Sequence, residues 1–168
     1  MIFITVLEYN RKNAVAYAFK WAYLRNPNYL DLSNLGGDCT NFISQCVYAG
    51  SGVMNYKPTF GWYYINSYKR SPSWTGVQYL YKFLIGNKAA GPFVKNVDIS
   101  QIELGDIIQL GDENGRFYHS LLVTDINGTP SYETIRISTH TFDANLRSLN
   151  SYNIKNIQFL HIEGVRKY

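Results

Sequence analysis

The sequence has few cysteines and little charge. Only 2 of its 168 residues are cysteines and 17% are charged. Cys39 and Cys46 are seven positions apart, so on one helix, at about 1.5 Å per residue, they would lie about 10 Å apart. A disulfide needs Cα atoms within about 7 Å. These two cysteines are therefore predicted to be free thiols, and a chain of this length needs no covalent staple because it buries about 70% of its unfolded surface.

Long apolar segments are also missing. No apolar run approaches the roughly 20 residues that span a bilayer, so no membrane segment is expected. The opening Met1–Leu7 is apolar, but Glu8 follows directly, and neither a basic leader nor a small-residue cleavage site is visible. This pattern predicts an opening strand or arm rather than a signal peptide. We expect a protein made in the cytoplasm that reaches any external target only after release or export.

The positive charge is modest and scattered. The net charge is +4 and the sequence pI is near 9.0. A nucleic-acid binder usually concentrates its basic residues into a patch or stripe, so the scatter argues against that class. An anionic polymer such as a bacterial cell wall is compatible with it. Aromatic residues make up 16% of the chain, including 15 tyrosines, and such amphipathic rings suit a groove for peptide or sugar.

The order of elements predicts an α+β fold in one domain over residues 1–168. Apolar spacing indicates a helix that starts after Asn10 and ends before Pro27, a second helix over Cys39–Ala49 with Gly50 as its stop, and a third over Trp74–Leu84. Residues 51–73 are predicted to form a structured loop or lid. Helices followed by an antiparallel meander are typical of this fold class. The predicted strands are Asp106–Leu110, Phe117–Ile126, Tyr132–Thr139 and Ile157–Val165.

Cys39 is the candidate nucleophile. It follows Gly36, Gly37 and Asp38 and begins a predicted helix. The helix dipole and the free N–H groups of the first turn favour the reactive thiolate and can hold an oxyanion. The alternative is a small buried apolar residue, as most free cysteines are.

His119 is the candidate base. It alternates with apolar Leu121 and Val123, so these side chains share one face of a strand, which we expect to cover the cysteine helix. His140 ends the next predicted strand and is expected beside His119, where it could fix the imidazole tautomer; Asp143 is the rival for that role. Each histidine could instead be structural, which is our interpretation of His161.

Several motifs together resemble a known family. Gly36–Cys46, with the sequence GGDCTNFISQC, looks like the signature of the putative amidase domain family, within the NlpC/P60 and CHAP group of papain-like enzymes. The supporting motifs cover nearly the whole chain: Tyr9–Arg11, Ala14–Ala18, Arg25–Pro27, Ser73–Val77, Gly105–Asp106, His119–Ser120 and Thr139–His140 with Asp143.

This resemblance implies a papain-like fold, with N-terminal helices and the cysteine helix packed on an antiparallel sheet. It also implies amide hydrolysis, often in cell-wall peptides, with Cys39 as nucleophile, His119 as base, and His140 or Asp143 as third member. Asp38 would hold a substrate amine or order its loop. Trp62, Tyr63 and Trp74 are candidate groove residues, with core packing as the alternative.

The predicted function is cysteine-dependent hydrolysis of peptidoglycan, as an N-acetylmuramoyl-L-alanine amidase or an endopeptidase of endolysin or autolysin type. No cofactor, metal, nucleic acid or membrane partner is expected, and a monomer is favoured. A catalytically silent wall-binding module and a cysteine acyltransferase are the alternatives. Zinc held by Cys39, His119 and His140 is a third, although these residues lack the short spacings of zinc motifs.

Overall fold

The computed structural model describes residues 3–168 and has an α+β fold. Its helices are α1 (Arg11–Trp21), α2 (Cys39–Ser51), α3 (Pro72–Thr75) and α4 (Val77–Gly86). Its strands are β1 (Thr5–Leu7), β2 (Tyr64–Asn66), β3 (Lys69–Arg70), β4 (Gly91–Val97), β5 (Ile107–Gly111), β6 (Phe117–Ile126), β7 (Ile135–Thr139), β8 (Ala144–Ser148) and β9 (Asn156–Lys167). Short 3₁₀ turns lie at Ile99–Gln101 and Leu149–Ser151.

Seven of these strands form one antiparallel sheet. The order is β1-β9-β5-β6-β7-β8, and β4 also pairs with β9. The long β9 therefore carries three partners along its 12 residues. Of the four predicted strands, the first three are present as β5, β6 and β7, and the fourth is β9, which pairs with β5 rather than with β7. Strands β2, β3, β4 and β8 were not predicted. Strand β8, for example, is largely polar and lacks the apolar alternation of a half-buried strand.

The sheet separates two apolar clusters. Helices α1, α2 and α4 pack on one face, where Phe42 and Ile43 of α2 meet Leu122 of β6 and Leu160 of β9. The opposite face carries a second cluster that includes Leu121. Successive strand residues point to opposite faces, so Leu121 and Leu122 belong to different clusters. This alternation along β6 decides which of its side chains can reach the cysteine helix.

The helix boundaries follow local chemistry. The side chain of Asn10 accepts a hydrogen bond from Asn13 N at 2.9 Å and caps α1, as predicted. Helix α2 runs past the predicted stop at Gly50 and ends at Ser51, and the C-cap Gly52 has a φ of 63°, the left-handed conformation typical of that position. Gly50 is instead a packing residue, because an added Cβ would collide with the ring of Tyr9. The third predicted helix is divided at Gly76 into α3 and α4.

The predicted opening strand is found at Thr5–Leu7, where β1 pairs with the end of β9. Residues 1 and 2 of that prediction lie outside the described residues. Among the helices over residues 3–168, none combines the length and apolar character that crossing a membrane requires.

Candidate active site

Cys39 is the first residue of α2 and lines a cleft of about 500 Å³. The first hydrogen bond of this helix runs from Phe42 N to Asp38 O, so the N–H groups of Cys39, Thr40 and Asn41 precede the intrahelical ladder. The cysteine side chain is 7% exposed, and Cys46 is fully buried. Both are free thiols, as predicted. A nucleophile beside free N–H groups is the arrangement that acyl transfer uses.

The thiol of Cys39 is not activated by its position alone. Burial raises its pKa above the ordinary value, and this outweighs the backbone N–H groups of Ser120 and Thr40, which favour the thiolate. The predicted effect of the helix start, which favours the thiolate, is thus opposed by a larger effect of burial. Removing the thiolate from water at this buried position destabilises it by more than the nearby N–H dipoles stabilise it. Attack by Cys39 consequently needs a base.

A polar network that the sequence analysis missed lies directly behind the thiol. Thr40 Oγ1 is 3.8 Å from Cys39 Sγ and 3.0 Å from Ser120 Oγ. Gln109 Nε2 donates to Ser120 Oγ at 3.3 Å and to Val77 O at 3.0 Å. The network joins α2, β5, β6 and the start of α4. A polar Gln109 inside the apolar run Ile107–Leu110 was the available sequence signal.

His119 lies on the opposite face of the sheet from α2. It pairs with Leu110, its neighbour on the same face is Leu121, and its ring is 6.2 Å from that of Tyr152. The expectation that this face covers the cysteine helix is wrong, because the helix packs on the alternate set that includes Ser120 and Leu122. Within residues 3–168, no hydrogen bond joins the His119 ring to Cys39 Sγ.

The surroundings of His119 favour its neutral form. Burial, with a smaller effect from the positive charge of Arg147, lowers its pKa from 6.5 to about 4. The imidazole is therefore neutral at pH 7. A β-bulge at Tyr118 separates the pairs Leu110–His119 and Gly111–Phe117, and bulges re-aim side chains at sheet edges and active sites.

This shift of the His119 pKa predicts a loss of stability in mild acid. The unfolded chain binds a proton near pH 6.5 and the folded chain only near pH 4, so stability falls as pH decreases through this window. The contribution is about 2–3 kcal/mol at pH 4. Urea unfolding at pH 7 and pH 4 should show a smaller acid-induced loss for His119→Gln than for the wild type. An equal loss in both proteins would contradict the buried neutral imidazole.

His140 is bound to the loop before the nucleophile and does not contact His119. Its Nδ1–H donates to Asp38 Oδ2 at 2.5 Å, and its Nε2 lies 2.8 Å from Trp21 O and 3.2 Å from Arg25 Nη1. Its ring stacks on Phe42 at 3.9 Å. The expectation that adjacent strands place His140 beside His119 is wrong, because the two rings lie on opposite faces of the sheet.

The carboxylate of Asp38 is fully engaged. Besides His140, it accepts from Leu32 N at 2.9 Å and Asn41 Nδ2 at 2.8 Å, and it is 1% exposed. Of the two predicted roles, ordering the loop fits this geometry. A substrate amine has no free oxygen to approach, so the substrate-binding role is corrected.

Asp143, the alternative third member of the catalytic triad, does not contact His119 and binds Arg25 instead. It accepts two hydrogen bonds from Arg25, at 2.9 and 3.0 Å. Arg25 Nε also lies 3.7 Å from Asp38 Oδ2. Asp143 therefore belongs to the outer layer of the Asp38–His140 cluster.

The predicted aromatic groove residues do not line the cleft. Trp62 and Trp74 are fully buried, and their indole N–H groups donate to Ser44 Oγ and Asn41 Oδ1. Tyr63 is half-buried and packs near Tyr56. Core packing, the alternative for these residues, describes both tryptophans. The cleft is lined instead by Gly36, Gly37, Cys39, Thr75, Val77, Gln78, Tyr79, Lys82, Arg116, Phe117 and Tyr118.

Zinc at Cys39, His119 and His140 does not fit this arrangement, since the two histidines occupy different faces. In the described part of the chain, the side chains close enough to share an ion are Glu103, Asp106 and His161. Arg11 pairs with both carboxylates of this cluster, 2.7 Å from Asp106 and 3.5 Å from Glu103, and His161 Nδ1 bonds to Asp106 at 2.8 Å. The structural interpretation of His161 fits these contacts.

A second cavity of about 750 Å³ is larger than the cysteine cleft and mainly apolar. Val15, Phe19, Leu104, Ile126 and Pro130 contribute to its lining. It contains no nucleophile, so the chemistry of the lining residues, rather than the volume, identifies the candidate site.

Comparison with known proteins gives a family match over most of the chain. The family model described as "Putative amidase domain" matches residues 8–162. The "Uncharacterized protein YhbB" of Bacillus subtilis (strain 168) is 34% identical over 145 residues, which is 83% of this chain and 44% of that protein. The chain thus spans less than half the length of this relative. No solved structure matches the chain significantly.

Proposed function

We propose, since the chain belongs to the Putative amidase domain family, that it hydrolyses amide bonds with Cys39 as nucleophile. The observation that carries the proposal is the position of Cys39, at the start of α2 and on the wall of a polar cleft. The substrate that we propose is bacterial peptidoglycan. The protein would act on the wall as a monomeric, single papain-like domain after release or export, as an N-acetylmuramoyl-L-alanine amidase or an endopeptidase.

The proposed reaction is acyl transfer through a thioester. His119 accepts the proton of the Cys39 thiol as the sulfur attacks the amide carbon, and the oxyanion is held by backbone N–H groups at the start of α2. His119 then gives that proton to the leaving amine as the C–N bond breaks. Water, deprotonated by His119, attacks the thioester, and the carboxylic acid and the free thiol are released.

His119 is proposed as the base because its imidazole is neutral at pH 7 and so has a ring nitrogen that can accept a proton. Burial raises the pKa of the Cys39 thiol, so the sulfur does not lose its proton before the base acts. Proton transfer then occurs during attack rather than beforehand. The backbone N–H of Ser120, the residue after His119, interacts with the Cys39 thiol. The backbone that carries the His119 side chain is therefore next to the thiol. Contact between His119 and Cys39 requires a change in the backbone of β6 that turns the His119 side chain toward α2, and the bulge at Tyr118 is the point where we propose that it occurs.

The wall substrate is supported by charge and by the character of the cleft. The chain has a net charge of +4, which favours association with an anionic polymer. Tyr79 and Tyr118 are exposed and line the cleft. Such rings offer an apolar face and a hydroxyl to peptide or sugar.

The test is mass spectrometry of purified peptidoglycan after incubation with wild type or with Cys39→Ala. We expect wild type to release fragments that the variant does not release, and the new termini identify the bond. Fragments released equally by both proteins would exclude Cys39 as the nucleophile.

A catalytically silent wall-binding module is the second candidate. It is favoured by one observation: within residues 3–168, the His119 ring lies beside that of Tyr152 and makes no hydrogen bond with Cys39. In this case neither protein releases fragments, yet both co-sediment with peptidoglycan. Fragment release by wild type alone excludes it.

A further inference from the structure

The cleft beside Cys39 is lined by residues from several separate segments of the chain. Helix α4 contributes Gln78, Tyr79 and Lys82 to the lining, and the start of β6 contributes Phe117 and Tyr118, next to Arg116. Cys39 and the backbone of Gly36–Gly37 complete the lining. A substrate whose amide carbon reaches Cys39 in this cleft therefore shares the cleft with Lys82 and Arg116.

The charge of this lining is entirely positive. Lys82 and Arg116 belong to it and no acidic side chain does. Over residues 3–168, neither of these two cations has a salt bridge, whereas Arg11, Arg25 and Lys95 each pair with a carboxylate. Both are exposed to solvent, so their charges are available to a ligand.

The orientation of α4 adds to this positive potential. The helix has 10 residues, and its first three, Val77–Tyr79, line the cleft. Its N-cap is Gly76, without a side chain to cap it, and its first turn has no acidic residue. The partial positive charge of a helix N-terminus is therefore uncompensated by the helix itself.

We propose that the cleft selects peptides that carry a free carboxylate close to the scissile amide, and that Lys82 and Arg116 recognise this carboxylate. This inference rests on the proposed function and assigns its substrate class. A carboxylate between an ammonium and a guanidinium makes charge-assisted hydrogen bonds with both, which are stronger than neutral ones. An amidated carboxyl would lose this attraction while keeping the same size and shape.

The experiment uses two matched cell-wall stem peptides, with the carboxyl next to the cleaved bond either free or amidated. We expect wild type to show a kcat/KM about tenfold or more higher for the free-carboxylate peptide. The preference should fall to about twofold or less in Lys82→Ala/Arg116→Ala. It should persist in Lys82→Arg/Arg116→Lys, which keeps both charges, and in Lys88→Ala, an exposed lysine outside the cleft. Equal rates for both peptides with wild type would overturn the inference.

A binding measurement separates this inference from the proposed hydrolysis. Calorimetry of the two peptides with Cys39→Ala requires no catalysis. Tighter binding of the free-carboxylate peptide that is lost in the Lys82→Ala/Arg116→Ala background supports the inference, even if wild type cleaves nothing and the proposed function fails. Equal affinity for both peptides, or no binding of either, overturns the inference, even if wild type cleaves peptidoglycan.

Discussion

Replacing Cys39 with serine is expected to lower kcat/KM for amide hydrolysis by at least about 10⁴-fold, since the nucleophile of an acyl-transfer site carries most of its rate enhancement. Serine has nearly the same shape, so the start of α2 and the Thr40–Ser120 network should remain. A hydroxyl is a far weaker nucleophile than a thiol beside the same base. Initial rates on a soluble stem peptide, with circular dichroism to check folding, measure this effect.

Cys46→Ser provides the matched control. Cys46 is on the same helix, two turns further along, and is fully buried in the apolar cluster with Phe42 and Val47. Burying a hydroxyl there costs stability, about 1–3 kcal/mol, but should leave kcat/KM of the folded protein within a few-fold of wild type. Activity retained by Cys39→Ser, or lost equally in both variants, would contradict the role of Cys39.

The largest expected loss of stability follows from replacing Asp38 with alanine. Removing this carboxylate leaves His140 Nδ1, Leu32 N and Asn41 Nδ2 without their acceptor in a buried position. Breaking a buried, hydrogen-bonded pair of this kind costs about 3–5 kcal/mol. We expect the midpoint of urea unfolding at pH 7 to fall accordingly, with the loop before Cys39 disordered.

Asp143→Ala is the control for this cluster. Asp143 pairs with the same Arg25, but its side chain is 28% exposed, so its removal should cost about 1 kcal/mol or less. If Asp38 bound a substrate amine instead, Asp38→Ala would raise KM and leave unfolding unchanged. That pattern would contradict the structural role assigned to Asp38.

The elements that the sequence predicted well are those with a strong local signal. The cap at Asn10, the helix that begins at Cys39 and the strand Phe117–Ile126 all appear, because capping groups and apolar periodicity act over a few residues. Strands with weak signals were missed. Strand β4 forms by pairing with β9, and such long-range pairing leaves little trace in the local pattern.

The site was predicted less completely for a similar reason. Alternation placed His119, Leu121 and Val123 on one face of β6 correctly, but it cannot say which face a helix covers. The cleft residues Lys82 and Arg116 come from segments separated by more than thirty positions, and no short motif joins them. Trp62 and Trp74 were predicted as groove residues because the sequence does not show whether an aromatic ring is buried. Burial depends on the residues that surround the ring in the folded chain.

The sequence by itself determined the α+β class, the free thiols, the place of Cys39 at a helix start and the family motifs around it. These depend on composition and on contacts a few residues apart. The tertiary structure decided that His140 bonds to Asp38, that His119 lies on the far face of the sheet, and that burial raises the pKa of the Cys39 thiol. Each of these is set by strand pairing and desolvation, which involve residues about 80 to 100 positions apart, so only the folded chain brings them into effect.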